Sequence, residues 1–175
     1  MKILEYKTLY RLLGMLLALF LFSSCNEGIS PAPEIQQPGF SGTISFIGEW
    51  PAGISRTHIV LFKDALQDSS DFNAFNLRFV SNEIPFGTSI FIYNSITDLL
   101  VGNVQPGEYF YLAVAQSKTT DISFNRSDWF VVGLFTQTGN PGEPAKLVIP
   151  TNRFVENINI VCDFDNPPPQ PPGGN

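Results

Sequence analysis

The sequence predicts an all-β domain over residues 40–165, an antiparallel sandwich or barrel built from about eight or nine short strands. Three observations carry that reading. Phe40, Gly42, Ile44 and Phe46 alternate with Ser41, Thr43 and Ser45, the two-residue period of a half-buried strand. Further runs rich in β-branched and aromatic residues recur between Pro- and Gly-containing turns. No stretch carries a sustained helical stripe with capping signals.

The expected strands follow in order. Thr57 to Phe62, Leu77 to Val80, Thr88 to Tyr93 and Leu99 to Val104 are each apolar or β-branched. Glu108 to Gln116 and Trp129 to Phe135 are apolar on both faces, so they are expected at the centre of the sheet, covered on each side. Lys146 to Ile149 is short, and Val155 to Phe164 closes the domain. Gln105-Pro106-Gly107-Glu108 suits a type II turn, with Pro second and Gly third. Asn140 to Pro144 reads as a loop, and the Asp, Ser and Asn content of Asp64 to Asn76 favours a long irregular one.

The ends read differently. Lys2, Lys7 and Arg11 precede the uncharged apolar run Leu12 to Phe22, and Ser23 and Ser24 lead into Cys25. Eleven residues separate Arg11 from Ser23, too few to cross a hydrocarbon layer that needs about 20 helical residues. A basic flank, a short apolar core and small residues make a secretory signal. The order resembles a bacterial lipoprotein leader, with Phe22-Ser23-Ser24-Cys25 at the cleavage box and Phe22 in place of the usual aliphatic residue. That resemblance implies removal of residues 1–24, lipidation of Cys25, and a place in the bacterial cell envelope, the outer membrane being the expected site. The alternatives are a soluble secreted protein cut near Cys25 and an uncleaved anchor. Residues 25–39, with three prolines, read as a flexible tether, and the Pro- and Gly-rich residues 166–175 as a disordered tail.

Charge narrows the partners. Residues 1–24 hold Lys2, Lys7, Arg11 and Glu5; without them 7 basic and 15 acidic residues remain, a net charge of −8. Such a surface repels nucleic acid, whose binding needs Lys and Arg on phosphates. It offers nothing to anionic head groups either, so acyl chains on Cys25 would carry the membrane association. The expected partners are a membrane through that anchor, and an envelope protein or a glycan.

A second resemblance rests on Gly42-Thr43-Ile44-Ser45-Phe46, on Val104 to Ala115 with its Pro106-Gly107-Glu108-Tyr109 turn, and on Ile158-Asn159-Ile160. These are similar to transthyretin-like or carboxypeptidase-regulatory-like modules. The resemblance implies an antiparallel Greek-key β-sandwich of seven strands and a structural or adhesive role, although fold alone does not fix function.

Residue chemistry favours binding over catalysis. His58 is the single histidine, in register with Val60 and Phe62, and reads as structural because a triad or zinc site needs more partners. Cys162 alternates inward with Ile158, Ile160 and Phe164, as a small buried hydrophobe does. Asp163, Asp165 and Asn166 form one oxygen-rich cluster, and Asp68 and Asp71 another. Calcium is the one cofactor they suit, as a weak cation site at Asp163, Asp165 and Asn166, yet neither has the Asp-x-Asp-x-Asp-Gly spacing of a dedicated loop. Trp50 and Trp129 are the candidate binding aromatics, suited to a flat sugar platform, while most of the other aromatics are expected in the core. The expectation is a non-catalytic exported domain with a binding, adhesive or envelope-assembly role. The alternative is a small envelope hydrolase using loop carboxylates. Cys25→Ala should shift the protein from the membrane to the soluble fraction on cell fractionation, because acyl burial, at about 0.8 kcal/mol per methylene, is the expected tether.

Overall fold

The computed structural model describes residues 35–137 and 139–174; the leader, Cys25 and the tether as far as residue 34 lie outside the described residues. The fold is all-β. The described residues form thirteen strands: β1 (Gly39–Ile47), β2 (Arg56–Phe62), β3 (Leu77–Ser81), β4 (Ile90–Asn94), β5 (Leu99–Gly102), β6 (Gly107–Tyr109), β7 (Tyr111–Ser117), β8 (Trp129–Leu134), β9 (Thr136–Gln137), β10 (Asn140–Pro144), β11 (Leu147–Ile149), β12 (Phe154–Val155) and β13 (Ile160–Asp163). The main sheet runs β4-β1-β13-β8-β7-β2-β3-β5, with β12 beside the start of β1. Its two end strands, β4 and β5, are joined by the short turn Ser95–Asp98, so the sheet curls back on itself. The small pairs β9–β10 and β6–β11 complete the pairing.

The central placement expected from hydrophobicity holds. β7 and β8 occupy the middle of the sheet, and all seven residues of β7 are buried. Leu112 and Val114 enter the inner core with Ile44, Ile59, Phe79 and Val132. The run expected as one strand from Glu108 to Gln116 is broken at Phe110, whose N–H donates to the Lys63 carbonyl. The residues before it form β6, which pairs with β11, and Tyr109 and Leu147 join the inner core. The Gln105–Glu108 turn is held from within, since the Tyr109 hydroxyl donates to the Gln105 carbonyl at 2.7 Å and accepts the Gln105 N–H. Gly107 adopts φ 151°, not the φ near +80° of a type II turn. Asn140–Pro144, expected as loop, pairs with Thr136–Gln137.

Not every pairing is antiparallel. β13 lies parallel to β1, in register from Ile44↔Ile160 to Ile47↔Asp163, and β12 lies parallel at Gly39 and Phe40. Between them the chain leaves the ladder, with Asn157 at φ 64°, a left-handed conformation that Asn tolerates. Two bonds bridge the gap: the Ile158 N–H donates to the Ser41 carbonyl, and the Thr43 N–H donates to Asn159 Oδ1, each at 2.9 Å. The Ile158 carbonyl points over Gly42, where any Cβ would collide with it, and accepts the hydroxyl of Tyr93 at 2.6 Å. Gly42 and Tyr93 are direct partners on β1 and β4, so one carbonyl ties three segments together.

The outer face of the sheet carries a second core. Phe62, Leu66, Tyr111, Ala113, Val131 and Leu134 pack there, with Phe72 and Leu77 against them. The cover is the irregular loop expected over Asp64 to Asn76, which closes on itself around one 3-10 turn, Ser69–Asp71. Asp68 caps that turn and Asp71 accepts the N–H groups of Gln67 and Asp68.

The C-terminal segment corrects an expectation. Proline content suggested a disordered tail over 166–175, yet Gln170 docks on β8, with Val131 N–H donating to its Oε1 and its Nε2 donating to the Val131 carbonyl, both at 2.8 Å. Pro171 is buried and its carbonyl accepts from Arg126. The side-chain amide of Gln170 stands where a neighbouring strand would otherwise bond, which is why a segment poor in apolar residues still attaches. At the other end Gln36 also docks, its N–H on the Asn152 carbonyl and its Oε1 on the Phe154 N–H.

Gly42→Ala should lower stability by about 3 kcal/mol in urea unfolding, the upper range for overpacking, because the added methyl meets a backbone carbonyl that cannot step aside. Tyr93→Phe should cost about 1–3 kcal/mol by stranding the same buried carbonyl.

Candidate binding cleft

Two loops and the ends of two strands meet at one end of the sheet. The β1–β2 loop supplies Pro51 and Ile54, and the β7–β8 connection supplies Lys118, Thr119, Ser127 and Asp128. Gln116 of β7 and Trp129 and Phe130 of β8 complete a cleft of about 440 Å³. That size lies at the lower end of the range of about 300–1,000 Å³ that small-molecule sites occupy.

Gln116 is the chemically unusual member. It follows Leu112 and Val114 on the inward row of β7, and its cross-strand partners are Thr57 on β2 and Phe130 on β8. It is 1% exposed, and neither Nε2 nor Oε1 has a hydrogen-bond partner among the described residues. A buried amide without partners costs about 1–3 kcal/mol, so the position is not set by stability. Phe130 beside it is 40% exposed and offers an open aromatic surface. Asp128 is held in place through Oδ2, which accepts from Ser123 Oγ and Asn125 Nδ2, so Oδ1 is left for other donors.

The residues singled out from sequence fall in different places. Trp129 reaches the cleft but is mostly buried, with its Nε1 donating to the Ser123 carbonyl at 2.7 Å. Trp50 lies just before Pro51, packed among Phe46, Phe86 and Phe164, with its Nε1 on the Thr88 carbonyl. Of the two tryptophans Trp129 lines the cleft, while Trp50 packs in a separate aromatic cluster, so they do not form one flat platform. Asp163, Asp165 and Asn166 do come together, but both Asp163 oxygens are engaged within the turn, by the Asp165 N–H and by Asn166 Nδ2. Those bonds, led by the one from Asn166, also hold the Asp163 carboxyl below its usual range. Among the described residues no group of three His, Cys, Asp or Glu side chains is arranged to hold a metal ion.

Cys162 is fully buried in the inner core, facing Gly133, where a Cβ would meet its sulfur. Burial pushes its thiol up, far from the range of a reactive thiolate. His58 lies on the outer row of β2 with Val60 and Phe62, fully buried, its Nδ1 2.9 Å from the Ser81 carbonyl and its ring edge-on to Trp129. A carbonyl can only accept, so Nδ1 carries the proton and Nε2 is the bare nitrogen. Burial lowers its pKa below the ordinary value of 6.5.

No family model, curated protein or solved structure matches the chain. The cleft therefore has to be read from its own chemistry. Sequence reasoning missed Gln116 because a polar residue at the end of an apolar run looks like the end of a strand. The usable signal was its register: two and four residues after Val114 and Leu112, it must point inward.

Two measurements check these assignments. Replacing Gln116 with Leu should raise the unfolding free energy by about 1–3 kcal/mol, since an isosteric apolar group removes the unpaired amide. Stability should fall as pH drops below about 6.5, because the unfolded chain takes up a proton at His58 that the folded state resists. Denaturation at pH 7.5 and pH 5 should show that fall in the native chain and a smaller one in His58→Gln.

Proposed function

We propose that the protein is an exported lipoprotein, lipidated on Cys25 and held at the cell envelope, whose β domain is a non-catalytic binding module. Gln116, a buried amide without a partner among the described residues, at the floor of a cleft of about 440 Å³, is the observation that carries the binding reading. A residue that weakens the fold at one cleft is explained by use there. The leader and the Ser23-Ser24-Cys25 box support the address. The transthyretin-like resemblance of Gly42–Phe46 and Val104–Ala115 agrees with a structural scaffold that presents loops.

The hydrolase reading has less support. Hydrolysis of a glycoside uses two carboxylates in most families. Among the described residues lining the cleft, Asp128 is the one acid. An adhesive or assembly role for the wider surface predicts binding that ignores Gln116, which separates it from the cleft reading.

The test has two arms. Mass spectrometry of the native N-terminal peptide should find Cys25 acylated with residues 1–24 removed; a bare thiol would refute the anchor. Thermal-shift screening of the full chain in detergent against sugars, amino acids, short peptides and nucleosides should find a stabilising class for the native chain. The same compounds should leave Gln116→Leu unshifted. Equal shifts in both proteins, or none in either, would refute the cleft as the binding site.

A further inference from the structure

We infer that the cleft takes a neutral saccharide, one pyranose ring resting on Phe130 while two neighbouring hydroxyls bond the amide of Gln116. This inference rests on the binding reading above and specifies its ligand class. The argument runs from complementarity. An amide with both Nε2 and Oε1 unpaired asks for one acceptor and one donor side by side. Neighbouring ring hydroxyls supply that pair, each able to donate and to accept. An apolar ligand would leave the amide stranded, at the cost already described.

Charge and shape narrow the class further. Lys118 and Asp128 put opposite charges around the cleft, so neither an anion nor a cation is favoured. Phe130 is directly opposite Gln116 across β7 and β8, and residues so paired have Cβ atoms about 4.5–5.5 Å apart. A ring lying on the Phe130 face thus has its edge within reach of the amide. Asp128 Oδ1 can accept from a further hydroxyl.

A peptide is the competing neutral ligand with paired donors and acceptors. Peptides commonly bind by extending a free sheet edge. At the cleft, however, β7 is hydrogen-bonded on both sides, to β2 and β8, and the docked Gln170 occupies Val131 of β8. Recognition here must come from side chains, which suits a sugar.

The amide atoms are covered in this structure, so binding requires Gln116 to change rotamer and swing the amide into the cleft. That movement is on a timescale of nanoseconds or slower for a packed side chain and presents no kinetic obstacle.

The experiment is NMR titration of the full chain in detergent micelles. The probes are the methyl glycosides of glucose, galactose, mannose and N-acetylglucosamine, then cellobiose and chitobiose, with trialanine as the peptide control. At least one saccharide should shift the Gln116 side-chain amide and the Phe130 ring resonances together. Its affinity should fall tenfold or more in Gln116→Leu and in Phe130→Ala, while Gln116→Leu keeps or gains thermal stability. Trialanine shifting these resonances with no response to any saccharide would overturn the sugar assignment and leave the binding cleft standing. No response at the cleft to any of these probes would overturn the saccharide assignment. A saccharide response unchanged in both variants would place the sugar elsewhere and overturn it as well.

Discussion

The carbonyl of Ile158 is the point on which the architecture depends. In the hydrogen-bonded order β13 is the one strand between β1 and β8, so β4 and β1 reach the rest of the sheet only through it. Parallel pairing of β1 with β13 requires the chain to return from the opposite end of the domain, with more than a hundred residues between. Such contacts carry a loop-closure entropy that grows slowly with length but is met before any local reward. The geometry that secures this pairing is correspondingly specific. Gly42 leaves space for the Ile158 carbonyl, Tyr93 donates to it, and the side-chain oxygen of Asn159 fills the acceptor position that the kink at Asn157 vacates. Burial pushes the Tyr93 phenol up, which keeps it protonated and donating across the whole physiological range.

Much of this was legible in the residues, and the failures have physical causes. The central strands were readable because β7 and β8 are covered on both faces, which removes the polar alternation expected of an exposed strand. The break at Phe110 was not, since the apolar pattern continues through it, and the one between Val155 and Ile160 shows only as the adjacent polar pair Glu156-Asn157. What interrupts those strands is a change of hydrogen-bond partner, and partners far apart in sequence leave little local trace. The tail was misread for a related reason. Pro-rich composition reports a lack of core-forming side chains, but Gln170 attaches by bonding backbone, which composition cannot register.

The two cores also explain why the conspicuous chemical residues are quiet. His58 and Cys162 sit on opposite faces of the sheet, each deep in apolar packing and each shifted toward its neutral form. Arg126 is held by the carbonyls of Trp129 and Pro171, so its charge serves to fasten the chain end to the β7–β8 connection. The cleft draws on less conspicuous residue types. An amide, a phenyl ring and one half-engaged carboxylate are ordinary groups, and only their convergence at one end of the sheet marks them.

The course of β1 gives the domain a direction. The chain enters it at Gly39, next to the docked Gln36, and leaves at Ile47, immediately before the loop that carries Pro51 and Ile54. Nine extended residues cover roughly 30 Å. The docked Gln36 is therefore held a full strand's length from the loop that lines the cleft, and β1 spans the sheet from one to the other.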